Sequence, residues 1–287
     1  MLDNGRARRI ADRIKNPADK SVSVILHRGD WRHYPENSVE GILGAIAMGG
    51  DMVEIDLAMT SDSVLVLCHD RTLDRTTTGR GLISDIPYDS IRKVRLRLDD
   101  GTPTDIKMPT ARKAFLAAKD RITMNIDKGG LEYFDQLQAL ADELGVTYQI
   151  VNKGKWDADK VQAMLDATPD NEMMYMPIID ILKPQGQQLW AQYAPARRYP
   201  IAYEVCWDKM TPAVKKCFKK IVNTGSRLWV NTLWDSLDGG LTDDAAYNGN
   251  PDDIYGRLVD MGVTMIQSDR PEFLLDWLRA KGLHDYK

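Results

Sequence analysis

Seven side chains define the chemistry open to this sequence, and each falls on or just after a short apolar run. SVSVIL ends directly in His27-Arg28-Gly29, and MVEID carries Glu54 and Asp56 two residues apart. VLVL leads through Cys68 into His69-Asp70, and MNIDK holds Asn125 and Asp127 with Lys128 beside them. Residues i and i+2 of a strand share one side, so Glu54 and Asp56 project together. Glu54, Asp56 and Asp127 offer the hard oxygen ligands of one divalent cation, Mg²⁺ or Ca²⁺. Arg28 and Lys128 can neutralise a phosphoryl group, Arg through a forked pair of hydrogen bonds and Lys as a point charge. Histidine as a residue type exchanges protons near neutral pH, so His27 and His69 can act as a pair, one taking a proton and one giving it. That combination suits phosphodiester cleavage through a charged pentacoordinate state.

Each residue alone has a simpler account. Asp127-Lys128 reads as a surface ion pair worth ~0–1 kcal/mol. Glu54 and Asp56 could face outward on an edge strand, and His33 and His284 read as hydrogen-bonded structural residues. The weight lies in coincidence, because four successive strand ends deliver these groups to one rim.

The elements that must position them alternate strand and helix. Strands are expected at Ser21–Leu26, Met52–Asp56, Val64–Leu67, Ile122–Asp127, Thr147–Val151, Met173–Pro177, Ile201–Val205, Leu228–Asn231 and Thr264–Gln267. Helices are expected at Ser38–Met48, capped by the pair Asn37 and Glu40, and at Leu131–Leu144, closed by Gly145. More follow at Asp157–Asp166, Gln185–Tyr193, Pro212–Val222, Asp252–Met261 and Pro271–Lys281. Alternation of this kind implies a parallel sheet. Eight or so strands in 287 residues fit a closed (β/α)₈ TIM barrel, whose active groups lie at the carboxyl ends of its strands. The turn-rich stretch 70–110 breaks the rhythm and reads as a small insertion after the strand ending near His69. The whole chain, 1–287, reads as a single barrel domain.

Composition narrows the function classes. With 38 basic and 42 acidic residues the formal charge is −4, which disfavours nucleic acid as a partner. No apolar run approaches ~20 residues, so stable membrane insertion is not expected. The first twenty residues show no apolar signal-peptide region. The compartment stays open between cytoplasm and export, and so does the oligomeric state. Cys68, Cys206 and Cys217 form neither a disulfide framework nor a zinc pattern. No GxGxxG or Walker A loop follows a strand.

The pieces HRG, PENS, the E-x-D of VEID, and HD followed by TLDRTT lie between Ser21 and Gly79. In order and spacing this stretch resembles the N-terminal signature of the glycerophosphodiester phosphodiesterases. MPT, Asn125-Ile126-Asp127 and QSDRPEFLLDWL are weaker echoes. The resemblance implies a TIM barrel and hydrolysis of a small-molecule glycerophosphodiester to an alcohol and sn-glycerol 3-phosphate. It also implies His27 and His69 as acid and base, Arg28 on phosphate, and Glu54, Asp56 and Asp127 on the cation. Glu36 and Asn37 would support the loop carrying His27, although Asn37 is also explained as a helix cap.

One departure bears on the phosphate site. The family carries Glu, one spacer and Lys where this chain has Asp127-Lys128 followed by Gly129. A one-residue shift turns a strand side chain to the opposite face. Lys128 reaches the rim if the chain bends at Gly129-Gly130, and Lys153, at the end of the next strand, is the alternative cation. Glu204 and Trp234 are expected to line the substrate pocket. Two other readings stay open: a phospholipase D-like or phosphatidylinositol-specific enzyme forming a cyclic phosphate, and a catalytically decayed barrel serving as a binding module.

Overall fold

The computed structural model describes residues 5–167, 172–193 and 200–284. Twelve strands are present among them: β1 Ser23–Leu26, β2 Met52–Ile55, β3 Leu57–Met59, β4 Leu65–Leu67, β5 Arg95–Arg97 and β6 Pro103–Lys107, then β7 Thr123–Ile126, β8 Ile150–Gly154, β9 Met174–Asp180, β10 Ala202–Cys206, β11 Arg227–Asn231 and β12 Met265–Ser268. Eight of them, β1, β2 and β7 to β12, form a closed barrel with interleaved helices, the expected (β/α)₈ architecture. Their residues are almost all buried, as a parallel sheet covered on both faces requires. No helix of the described residues is long and apolar enough to cross a membrane.

Packing divides the chain into two compact units, Met1–Ile10 with Leu26–Asn152, and Ala11–Ile25 with Lys153–Lys287. In the first, β2 pairs with β7 in parallel, placing Glu54 beside Asn125 and Ile55 beside Ile126. β8 follows, with Asn125 beside Val151. In the second, β9, β10, β11 and β12 pair successively, with Glu204 beside both Ile178 and Trp229, and Asn231 beside Gln267.

The expected third barrel strand, Val64–Leu67, is corrected by the structure. β3 and β4 form a separate antiparallel hairpin, Leu57 opposite Leu67 and Met59 opposite Leu65. The chain leaves β2 through Asp56, turns at residues 60–63 and comes back. Thr60 anchors this turn by a backbone bond to Val64 (3.1 Å) and a hydroxyl bond to Asp62 (2.6 Å). The third barrel strand is β7. A second antiparallel pair, β5 with β6, lies within the 70–110 stretch. Val66, Cys68, Leu73, Ile83, Ile91, Leu96 and Met108 form a small buried cluster beneath these elements. Burial pushes the Cys68 thiol up to about 11, so it packs as a neutral apolar group.

A second difference lies at the start of the helix Val39–Met48. Its cap is Ser38, whose hydroxyl accepts from Gly41 N at 2.9 Å. Asn37 is therefore not the cap, which leaves its side chain for another task. The helix Phe134–Leu144 ends on Gly145 at φ +67°, the left-handed closure expected of that glycine.

Candidate active site

The site is built from one barrel register and one hairpin. Because β2 and β7 run in parallel, Asp127 N donates to Ile55 O (3.1 Å) and Leu57 N to Lys128 O (2.8 Å). This brings Asp127 level with Asp56, just past the strand ends. Ligand atoms of Glu54, Asp56 and Asp127 all lie within 4.8 Å of one another. The returning hairpin completes the arrangement, since Cys68 N donates to Asp56 O at 3.0 Å. His69 is thereby set beside the carboxylates.

The loop after β1 is pinned to the same cluster. Arg28 has φ +54°, a left-handed backbone that an arginine rarely adopts. Its amide donates to Glu54 Oε2 at 2.9 Å, which ties the loop after β1 to the acidic trio. Asn37, at φ +55°, clamps Asp56 from both ends. Its Nδ2 donates to Asp56 Oδ2 and its Oδ1 accepts from Asp56 N, both at 2.9 Å. Substituting Asn37→Ala removes both bonds and leaves a buried amide unpaired, at an expected cost of about 2–4 kcal/mol. A chemical-denaturation midpoint measured in chelator checks this. A midpoint unchanged from the wild type would mean the clamp contributes nothing.

Whether the trio suits a cation can be read from its own atoms. Asp56 is fully buried, and its Oδ1 has no hydrogen-bond partner. Such an atom is costly to bury unless it is satisfied by something outside the chain. Three carboxylates gathered this closely also repel one another. A divalent cation resolves both problems, and the all-oxygen donor set is the kind Mg²⁺ and Ca²⁺ prefer. The residues fit the ion.

His69 is oriented by its neighbour. Its Nδ1 lies 2.7 Å from Asp70 Oδ1 and 3.4 Å from Lys128 Nζ. An ammonium cannot donate to a nitrogen already bearing a proton, so the short carboxylate contact decides the matter. Nδ1–H donates to Asp70, and Nε2 is left for chemistry. Lys128 Nζ is placed instead by His69 O at 3.3 Å. This is the bend anticipated at Gly129-Gly130. Gly129 sits at φ +76°, and any Cβ there would come within 2.4 Å of Leu57 O.

Glu36 supports Arg28 as expected, accepting from Nη1 at 3.1 and 3.2 Å. Arg28 Nε is buried and makes no hydrogen bond, although Asp56 Oδ2 lies 3.8 Å away. Arg75, inside the TLDRTT motif but absent from the expected site, joins Glu36 to Asp70. Burial would raise the Glu36 carboxyl, yet hydrogen bonds from Arg75 and the charges of Arg28 and Arg75 hold it below its ordinary range. The Arg75 fork, with help from His69, holds Asp70 far below the usual carboxylate range.

The remaining expected residues belong to the second unit. Lys153 is 2% exposed. Its Nζ lies 3.0 Å from Glu204 Oε2 and 3.4 Å from Gln267 Oε1. Glu204 Oε1 accepts from Asn231 Nδ2 (2.9 Å), whose Oδ1 accepts from Trp229 Nε1 (2.6 Å). In this buried polar chain the Lys153 and Glu204 charges face one another. Trp234 is 47% exposed at the start of the short helix Asp235–Asp238. His33 bonds Asp30 at 2.9 Å, and His284 is buried.

Comparison with known proteins shows the family. The profile of the glycerophosphoryl diester phosphodiesterase family matches residues 27–189, more than half of the chain, and the protein belongs to that family. A second profile, described as a domain of unknown function, matches residues 175–278. Human glycerophosphodiester phosphodiesterase 1 is 41% identical over 105 residues, 35% of this chain and 31% of that protein. The glycerophosphodiester phosphodiesterase of Caldanaerobacter subterraneus subsp. tengcongensis is 33% identical over 118 residues, 40% of this chain and 49% of that protein. The chain thus matches between about a third and a half of the length of these curated relatives.

Among solved structures, a glycerophosphoryl diester phosphodiesterase from Parabacteroides distasonis superposes with a TM-score of 0.71 at 20% identity, covering 96% of this chain and 92% of that one. A phosphodiesterase from Oleispira antarctica, solved with the product sn-glycerol-3-phosphate, gives 0.65 at 18% identity over 90% and 97%. Both share the barrel fold.

Proposed function

We propose that this protein is a divalent-cation-dependent glycerophosphodiester phosphodiesterase, a single barrel domain over 1–287 in which the 70–110 stretch, following the β3–β4 hairpin, is inserted between β2 and β7. The observation that carries the reading is the acidic trio within 4.8 Å, with Arg28 bonded to it and His69 delivered beside it. The family membership and the product held by the Oleispira antarctica enzyme support the substrate class.

Glu54, Asp56 and Asp127 would hold Mg²⁺ or Ca²⁺, and the ion, when bound, draws charge from the phosphoryl oxygens. The Arg28 guanidinium, whose Nε makes no hydrogen bond within the described residues, would donate to a non-bridging oxygen. Lys128, held within reach of His69, adds a second positive charge on the same side. We favour Lys128 over Lys153 here, because Glu204 already neutralises Lys153. One imidazole of the pair His27 and His69 takes the proton of the attacking oxygen, and the other gives one to the departing alkoxide. Asp70 keeps the Nε2 of His69 available for that exchange. Within the second unit, Trp234 offers an exposed indole face on which a glycerol or alcohol backbone could pack.

The test is turnover of glycerophosphocholine and related diesters with Mg²⁺, Ca²⁺ or chelator, followed by phosphorus NMR. Cation-dependent release of glycerol 3-phosphate is the expected result. A cyclic phosphate as the end product would move the protein to the phospholipase D-like reading, and binding without turnover would make it a binding module. Lys128→Ala is expected to lower turnover more than Lys153→Ala; the reverse order would transfer the phosphate role to Lys153.

A further inference from the structure

Arg75 bonds the carboxylate that orients His69, and the sequence pattern offers it no chemical task. Its guanidinium makes two forks. Nε and Nη2 donate to Asp70 at 2.8 and 2.9 Å, while Nη1 and Nη2 donate to Glu36 at 2.7 and 2.8 Å. Glu36 lies 39 residues earlier, on the loop that carries His27 and Arg28. Each carboxylate has a second contact that leads into the site, Asp70 to His69 Nδ1 and Glu36 to Arg28 Nη1.

Building on the phosphodiesterase reading, we propose that Arg75 is a positioning residue that locks the His69 loop to the His27-Arg28 loop, holding the acid/base pair and the phosphate-binding arginine in one geometry. The simpler account is a half-exposed ion pair of little consequence, since the Arg75 side chain is 48% exposed. The geometry argues otherwise. Both carboxylates are mostly covered, at 14% and 28% exposure, and both are engaged bidentately by one planar group. With both of its oxygens bonded to Arg75, Asp70 has a fixed plane, so Oδ1 faces the His69 ring and holds one tautomer. A similar grip on Glu36 fixes Arg28 Nη1 and leaves Nε aimed elsewhere. Only a guanidinium can form two such forks at once, and an ammonium cannot.

Three substitutions in the full chain, Arg75→Lys, Arg75→Gln and Arg75→Ala, test the inference. Misplaced catalytic groups commonly cost up to about 100-fold in rate, so kcat is expected to fall between about 10- and 100-fold in each, with KM little changed. Lys should be nearly as poor as Gln, and added guanidinium should restore part of the rate in Arg75→Ala where ammonium does not. Nitrogen-15 NMR of the His69 ring supplies a readout independent of turnover. The wild type should show a single Nδ1–H tautomer and the variants a mixture. Full kcat in Arg75→Lys, or an unchanged His69 tautomer in Arg75→Gln, would reduce Arg75 to a surface ion pair. If the wild type cleaves no glycerophosphodiester with either cation, the functional reading fails, and the tautomer measurement still decides whether Arg75 positions His69.

Discussion

The His69→Ala protein is expected to lose about 10²- to 10⁴-fold in kcat for glycerophosphodiester cleavage, the usual contribution of a positioned acid or base. KM and the melting temperature should hardly move. The ring keeps 26% exposure, and its hydrogen bond runs to the partly covered loop residue Asp70 rather than into the core. Its loss therefore leaves no cavity of the kind that costs stability. His27→Ala should behave alike. The two variants can then be told apart with a substrate whose leaving group departs without a proton, such as a nitrophenol ester. The variant lacking the general acid should regain most of its rate on that ester, while the variant lacking the base should not. Turnover within tenfold of wild type in either variant would remove the acid/base pair from the mechanism.

The second large effect concerns Asp56. With a divalent cation at a hundredfold excess over Kd, the wild-type fold should gain about 2.7 kcal/mol, read as a rise in melting temperature. Asp56→Asn should abolish that gain and weaken cation binding by at least about 100-fold, the upper range for loss of a mere supporting group. The amide has a defined orientation. Asn37 Nδ2 donates at the Oδ2 position, so the oxygen of the new side chain must stay there. Its NH₂ then takes the place of Oδ1, presenting a donor where the ion needs an acceptor. In chelator, the variant should be no less stable than wild type, because one charge has left a crowded trio. A wild type whose melting and turnover ignore both cation and chelator would end the metal reading. Calorimetric titration of the metal settles the binding independently of activity.

Much of this site could be read from residue types alone. The E-x-D spacing of Glu54 and Asp56 is a strand pattern, and the parallel register with β7 is what alternating strands and helices require, so the acidic trio could be placed without coordinates. The route to His69 could not. LVL is a three-residue apolar run, as compatible with a short barrel strand as with a hairpin arm. The clue was the turn-forming stretch Thr60-Ser61-Asp62-Ser63 between two such runs, which is a hairpin spacing. Asn37 and Ser38 are both good capping types and adjacent, so sequence could not choose which hydroxyl or amide would face the helix. The backbone decided, turning Asn37 left-handed and toward Asp56. Arg75 was illegible for another reason, since its partner Glu36 is 39 residues away and no periodicity encodes a pairing of that range. The helix Arg6–Lys15 is written in the buried Ala7, Ile10, Ala11 and Ile14, whose helical spacing is masked by the charges interleaved with them.

The hairpin that carries His69 stands on its own small core, that of Val66, Leu73, Ile83, Ile91, Leu96 and Met108. A structure partitioned in this way can open one part before the rest gives way. On the phosphodiesterase reading, heat or mild denaturant would then end turnover while the barrel still reads as folded. The temperature at which work stops is expected to be set by the appendage.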